Sequence, residues 1–289
     1  MKKLNITIIG MGLIGGSIGL ALKEADPDRF FITAVATRAA TLELALERKA
    51  ADRAIVDLTE GVADADIIFV CTPVLQIVPI VEKIAPFLKQ GTIITDVGST
   101  KGYIAEQINR ILPPGVFYVS GHPMAGLEQS GMQAADSRLF INKWYILVPE
   151  VSTSVEAVNT VAELIALTGA KITTMKVEDH DRCAAVISHV PHVAAAAMVH
   201  LLDFSHDMEE SLKLAGGGFR DTTRIASSNA DMWSDICLTN PQAITDSLQN
   251  LRAILSQVIE DIEEGDRQAL HTFFSIAKKR RDALINASL

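Results

Sequence analysis

Ile6-Thr7-Ile8-Ile9-Gly10-Met11-Gly12-Leu13-Ile14-Gly15 joins an apolar β-like run to an apolar helical segment through a G-x-G-x-x-G turn. Gly10 permits the tight strand-to-helix turn, Gly12 lets backbone N–H groups approach an anion with no Cβ in the way, and Gly15 lets helix and strand pack closely. The pattern predicts a dinucleotide pyrophosphate at a helix N-terminus, with Leu13 and Ile14 in the binding set. Residues 4–9 read as a first strand and 13–24 as a first helix. The rival reading is a secretory signal, since Lys2 and Lys3 precede an uncharged stretch from Leu4 to Leu22. Gly10, Gly12, Gly15, Gly16 and Gly19 argue against it, because each would weaken a continuous helix by about 1 kcal/mol.

Outward from this turn, β-like runs recur at Phe30–Ala36, Ala65–Thr72, Thr92–Val97, Val116–Ser120, Trp144–Val148 and Lys171–Val177. Helical stretches near 38–49, 75–89, 101–111 and 152–168 separate them. Repeated β–α order predicts a parallel, doubly wound sheet. Beyond about residue 178 no strand pattern recurs, and 178–204, 240–264 and 266–287 read as long helices. The expected fold is an α/β Rossmann-type nucleotide-binding domain over 1–175 followed by an all-α dimerisation and substrate domain over 176–289. Small residues at Ala194–Ala197 would let another helix approach closely. A homodimer through this half would complete its thin core.

The 289 residues are enough for two cores, and 48% apolar with 21% charged residues is ordinary globular composition. Against 35 Asp and Glu there are 26 Lys and Arg, a net charge of −9 with no long basic run. Nucleic-acid and anionic-membrane roles are therefore not expected. Cys71, Cys183 and Cys237 are far apart, odd in number and never in a C-x-x-C pair, which argues against a disulfide framework or zinc site and fits a cytoplasmic location.

An acidic residue that would bind the adenosine ribose is missing from the end of the second strand, Val35-Ala36-Thr37-Arg38. Thr37 and Arg38 suit a 2′-phosphate, so NAD or NADP is expected with a lean to NADP; alternatively Arg38 is a solvated residue at a helix start. Thr72 and Pro73, ending the Ala65–Thr72 run, complete the cofactor-binding set. Asp96-Val97-Gly98-Ser99-Thr100-Lys101 follows another strand at the sheet edge where ligands bind. Gly121-His122-Pro123-Met124-Ala125-Gly126 then places His122 on a loop facing the same crevice, a candidate acid/base. Ser188-His189-Val190-Pro191-His192 spaces two histidines three apart, but with no third ligand at a diagnostic interval no metal is expected, and Pro191 predicts a kinked, pocket-lining helix. Arg220 and Arg224, four apart, would share a helix face and could each clamp a carboxylate, or be satisfied by Asp221 and Asp231.

The stretches GMGLIGGS (10–17), DVGSTK (96–101), GHPMAGLEQSG (121–131), SHVPH (188–192), GGGFRDTTRIA (216–226) and MW (232–233) together resemble the prephenate/arogenate dehydrogenase family of tyrosine biosynthesis, in order and over nearly the whole chain. The resemblance implies that His122 draws the proton from the substrate's ring hydroxyl as hydride leaves for the nicotinamide, with decarboxylation following. It also implies that Ser99 orients that pair, that Arg224 holds the ring carboxylate, and that His192, Arg220 and Trp233 line the side-chain end. The expected activity is prephenate dehydrogenase, with arogenate or dual-specificity cyclohexadienyl dehydrogenase as the alternative. A cationic His192 would favour prephenate over the amino acid arogenate. A monofunctional enzyme is expected, with any tyrosine inhibition acting at the active site. More remote readings are a β-hydroxyacid dehydrogenase, whose catalytic Lys on a second-domain helix is here replaced by His and Arg, a pyrroline-carboxylate reductase, which has no need of the His122 loop, and a non-enzymatic nucleotide-binding module, which would not need the Ser99, His122 and Arg224 set.

Overall fold

The computed structural model describes residues 3–127 and 129–286; Glu128 of the GHPMAGLEQSG motif lies outside them. The α/β part runs β1 (Leu4–Ile9), α1 (Leu13–Ala25), β2 (Phe30–Val35), α2 (Ala39–Glu47), β3 (Arg53–Ile55), α3 (Leu58–Val62), β4 (Ile67–Val70), α4 (Val74–Ile84), β5 (Ile93–Asp96), α5 (Gly102–Ile111), β6 (Phe117–Pro123), β7 (Trp144–Val148), α6 (Val155–Leu167) and β8 (Lys171–Thr174). The strands form one sheet in the order β3-β2-β1-β4-β5-β6-β7-β8. β1 and β4 lie at its centre because both their faces are apolar: Ile6, Ile8, Ile67 and Phe69 face one packed layer and Ile9, Ile68 and Val70 the other. α1, α2 and α6 cover the first layer, α3, α4 and α5 the second.

Two glycines fix the first turn. Gly10 adopts φ +93°, a left-handed conformation open to glycine, and a Cβ on Gly15 would stand 2.2 Å from the Gly10 carbonyl oxygen. α1 is thereby held directly against the end of β1, as the spacing predicted.

The sheet departs from the all-parallel expectation at one place, where β7 runs antiparallel to β6. A parallel return needs a crossover helix. Among the described residues of 124–143 there is no crossover helix, only a 3₁₀ turn at Met132–Ala134, so the chain simply reverses. This pairing also corrects the placement of His122. The residue is part of β6, opposite Ile146, rather than on a loop, because the antiparallel ladder extends the strand past Ser120.

Past β8 the chain is helical. α7 (Val177–Ala184), a π turn (Ala185–His189) and α8 (Val190–His200) form one run ending in a 3₁₀ turn at Leu201–Phe204. The expected kink takes the form of this widened turn, set directly ahead of Pro191, whose ring and missing N–H a regular α-turn would not accommodate. By length and composition the run could cross a membrane, and 17% of its most apolar window is buried in the single chain. α9 (Met208–Leu214), α10 (Gly217–Thr223), a 3₁₀ turn (Arg224–Ser227) and α11 (Ala230–Thr239) follow. Residues 1–241 make one compact unit and 242–289 another. The second contains α12 (Pro241–Glu263) but for its first residue, and α13 (Arg267–Asn286), both largely exposed.

Candidate active site

Val35, Ile9, Val70 and Asp96 stand in register across β2, β1, β4 and β5. The residues after them, Thr37-Arg38, Gly10–Gly12, Thr72-Pro73 and Val97–Ser99, therefore share one edge, and the strand order reverses between β1 and β4, where a crevice opens. At that point α1 begins with no side-chain cap and no acidic residue in its first turn. Its orphan N–H groups are left for an anion. A Cβ built on Gly12 meets nothing within 4 Å, so the space a phosphate would take is clear. Thr72 Oγ1, buried beside this turn, has no hydrogen-bond partner among the described residues. These features fit a dinucleotide. Arg38 is exposed and caps α2 only through its backbone carbonyl, which accepts from Thr41 N at 3.0 Å.

At the end of β5 lies a buried ion pair that neither spacing nor periodicity reveals. Lys101 Nζ is 2.5 Å from Asp96 Oδ2, and neither side chain is exposed. Burial pulls the lysine below its ordinary pKa, while Asp96 pulls the other way. Asp96 is further saturated by Tyr118 Oη at 2.7 Å, Gly98 N at 2.8 Å and Gly121 N at 3.2 Å. Lys101 Nζ also donates to Gly121 O at 2.6 Å. Both backbone groups of the residue before His122 are thus clamped, which fixes where the imidazole emerges.

His122 Nδ1 lies 2.8 Å from His180 Nε2, and His180 Nδ1 lies 2.8 Å from Asp181 Oδ1. Asp181 in turn accepts from the N–H groups of Lys101 and Gly102, each at 2.8 Å, at the start of α5. Burial would raise the Asp181 pKa, but the hydrogen bonds from His180 and these two amides overcome it and hold the carboxyl below its usual range. His122 is pushed well below the ordinary histidine value, chiefly by burial, with His180, Lys101 and His189 adding to it. It is a neutral imidazole at neutral pH, the form a general base requires.

His189, fully buried, is likewise pushed down to about 4, chiefly by burial. Its Nε2 and the indole Nε1 of Trp233 are buried without a hydrogen-bond partner among the described residues. Buried donors rarely stay orphaned without a ligand or water to receive them. The Trp233 ring stacks on His192, with centroids 3.7 Å apart, and meets His189 edge-on at 6.1 Å.

The sequence-predicted residues are thus partly gathered. His192 and Trp233 touch, and α8 packs against α10 and the Arg224–Ser227 turn. Arg220 is exposed and donates from Nε to Ala215 O at 3.0 Å; Arg224 lies at the junction of α10 with the 3₁₀ turn, so the four-residue spacing crosses two helix types. Ser99 is half-buried between β5 and α5, and the hydrogen-bond partner of His122 is His180 rather than Ser99. His192 donates from Nδ1 to Ser188 O, and burial lowers its pKa, so it is a neutral group and not the cation the sequence argument used. Sequence reasoning missed His180, Asp181 and the lock between Asp96 and Lys101. The only trace of the first two was a Glu178-Asp179-His180-Asp181 run that reads as an ordinary polar helix start.

Comparison with known proteins places this geometry. The profile of the prephenate dehydrogenase nucleotide-binding domain matches residues 18–174, and that of the prephenate dehydrogenase dimerization domain matches 176–276. Prephenate dehydrogenase of Bacillus subtilis is 38% identical over 96% of this chain and 76% of its own. The crystal structure of Synechocystis arogenate dehydrogenase is 32% identical, covering 97% of this chain and 100% of that one, with a TM-score of 0.84. Prephenate dehydrogenase from Aquifex aeolicus, solved with hydroxyphenyl propionate and NAD+, is 27% identical, covering 98% and 99%, with a TM-score of 0.90. A Rossmann-type crevice, a neutral buried histidine at its rim and a helical dimerization domain thus meet in one chain, which belongs to the prephenate dehydrogenase family.

Proposed function

We propose that the protein is a prephenate dehydrogenase, converting prephenate to 4-hydroxyphenylpyruvate and CO2 with reduction of a nicotinamide dinucleotide in tyrosine biosynthesis. The observation that carries this reading is His122, a neutral buried base clamped at the carboxyl edge of the sheet beside a fitting dinucleotide crevice. The bound nicotinamide supplies the hydride acceptor. His122 accepts the hydrogen bond of the substrate's C4 hydroxyl and takes its proton as the C–H bond breaks; aromatisation on loss of CO2 makes the overall step strongly downhill. Gly12 and the N-terminus of α1 seat the pyrophosphate, Arg224 and Arg220 supply cations for the two carboxylates, and His189 and Trp233 offer donors to the substrate. An anionic substrate entering a chain of net charge −9 needs such local cations.

One observation favours a second reading, arogenate. Neutral His192, with Nδ1 committed to Ser188 O, keeps a lone pair on Nε2 that would accept from an ammonium as readily as from a hydroxyl. NADP use is supported by Arg38 and NAD use by the Aquifex complex. A homodimer formed through residues 176–289 is supported by the dimerization-domain match, and a cytoplasmic location by three unpaired cysteines. The deciding experiment measures hydride transfer from prephenate and arogenate with both cofactors, in wild type and His122→Asn. The variant should bind cofactor normally and lose about 10²-fold or more in kcat. Equal turnover by wild type and variant would remove His122 from the chemistry.

A further inference from the structure

The contact between His122 and His180 leaves one question that decides whether His122 can act at all: which ring nitrogen carries its proton. Asp181 answers it from a distance. Its carboxylate, held ionised by three hydrogen bonds, can only accept, so His180 must present Nδ1–H to it across 2.8 Å. A neutral His180 then has a bare Nε2, and the atom facing it at 2.8 Å, His122 Nδ1, must be the donor. That leaves the lone pair of His122 on Nε2.

We propose that His180 and Asp181 are positioning residues that fix His122 in its Nδ1–H tautomer, aim Nε2 as the base, and share the positive charge when it is protonated. The inference rests on the dehydrogenase reading above and deepens it. In the step itself the substrate O–H bond breaks, its proton forms a bond to His122 Nε2, and the oxygen's electron pair becomes the second bond of a carbonyl as hydride leaves C4. The new imidazolium is neutralised through the chain His122 Nδ1–H to His180 and His180 Nδ1–H to Asp181, with no further proton leaving the site. The ring centroids are 5.1 Å apart and the planes cross at 65°, so the rings are not stacked and meet through the Nδ1–Nε2 contact. His180 when charged, Lys101 and His189, which also face this histidine, disfavour its charged form, so the dyad helps only while His180 is neutral and accepts from His122 Nδ1–H. The dyad is the compensating element that makes protonation during turnover accessible.

Asp181 also caps α5, so its removal alone could act through folding. Three variants separate the roles. In Asp181→Asn an amide N–H can face His180 Nδ1 and reverse both tautomers; kcat should fall by roughly 10²–10⁴-fold, as when the orienting carboxylate of a catalytic triad is made an amide, with KM little changed. The acid limb of its kcat/KM profile should shift to lower pH. His180→Gln keeps a carbonyl acceptor for His122 Nδ1–H and should retain clearly more kcat than His180→Phe, although both leave Asp181 on its amides. Histidine ¹⁵N spectra of the apo protein should place the proton on His122 Nδ1 in wild type and on Nε2 in Asp181→Asn. A proton on Nε2 in wild type would overturn the proposal, as would unchanged kcat and pH profile in Asp181→Asn. Absence of wild-type turnover on both prephenate and arogenate would sink the dehydrogenase reading instead, while the spectra would still decide the tautomer.

Discussion

Asp96 and Lys101 form an ion pair at 2.5 Å with no exposed atom on either side chain, at the carboxyl end of β5. Breaking such a pair from one side strands a charge in the interior. Lys101→Met should therefore lower unfolding stability by about 3–5 kcal/mol, and adding Asp96→Asn should restore part of the loss. Denaturant titrations of the two single variants and the double variant test this, and strictly additive losses would count against a coupled pair.

The second and third glycines of the first turn should separate binding from folding. Gly15→Ala brings a methyl to 2.2 Å from the Gly10 carbonyl and should cost roughly 1–3 kcal/mol of stability. Gly12→Ala meets nothing in the protein, so its melting temperature should stay near wild type while dinucleotide affinity drops about tenfold or more. Calorimetric titration with both variants checks it; unchanged affinity in Gly12→Ala would mean the pyrophosphate lies elsewhere.

Stability should fall on mild acidification. His122 and His189 have folded pKa values below the ordinary 6.5, the latter about 4, so between those values the unfolded chain binds protons that the folded chain refuses. Stability is fully present above pH 6.5 and declines towards pH 4, by up to about 1.4 kcal/mol per pH unit for each histidine. Asp181 adds a loss of the same sign below about pH 3.8. Unfolding curves at pH 7, 6 and 5 for wild type and His189→Asn measure it. A flat profile would show that these rings charge freely in the fold.

The cofactor preference proposed above rests on one exposed side chain. Arg38 stands at the end of β2 where a 2′-phosphate would reach, so wild type should use NADP at least as efficiently as NAD, and Arg38→Asp should shift preference towards NAD. The ratio of kcat/KM values for the two cofactors is the readout. A strong wild-type preference for NAD that ignores the substitution would exclude Arg38 from the ribose.

The exposed face of α12 carries Ile254, Leu255, Ile259 and Ile262, each about half open to solvent or more, at helical spacing. Burial of this face in a second copy should make the protein a dimer at micromolar concentration. Light scattering should show the dimer mass in wild type and a smaller species for Leu255→Glu with Ile262→Glu. A monomeric wild type would refute it.

What could be read from the chain in advance follows burial. β1, β4 and β5 were legible because both faces are covered, giving unbroken apolar runs, and α1 because its glycines mark both turn and packing. β3 was not: three residues starting at an exposed Arg53 make no pattern. The direction of β7 was hidden because an apolar run carries no arrow; that information lay in the lack of a crossover helix among the described residues of 124–143. α9 and α10 bury no residue in the chain and so impose no apolar stripe. Within the site, His122 stood out between Gly121 and Pro123. His180 and Asp181 reach it only through packing of α7 on α5, which brings His180 to a histidine 58 residues before it in the chain.

The π turn at Ala185–His189 sets the phase of everything after it. One extra residue in a single turn shifts the phase of α8 against α7; winding the same residues as regular α-helix, with none deleted, would rotate the rest of the run by about 100°. His192 would then turn off the Trp233 ring while His180 stayed in place. The helix thus works as an indexed shaft, on which the histidine next to the catalytic base and the one under the tryptophan are timed against each other by a single inserted residue.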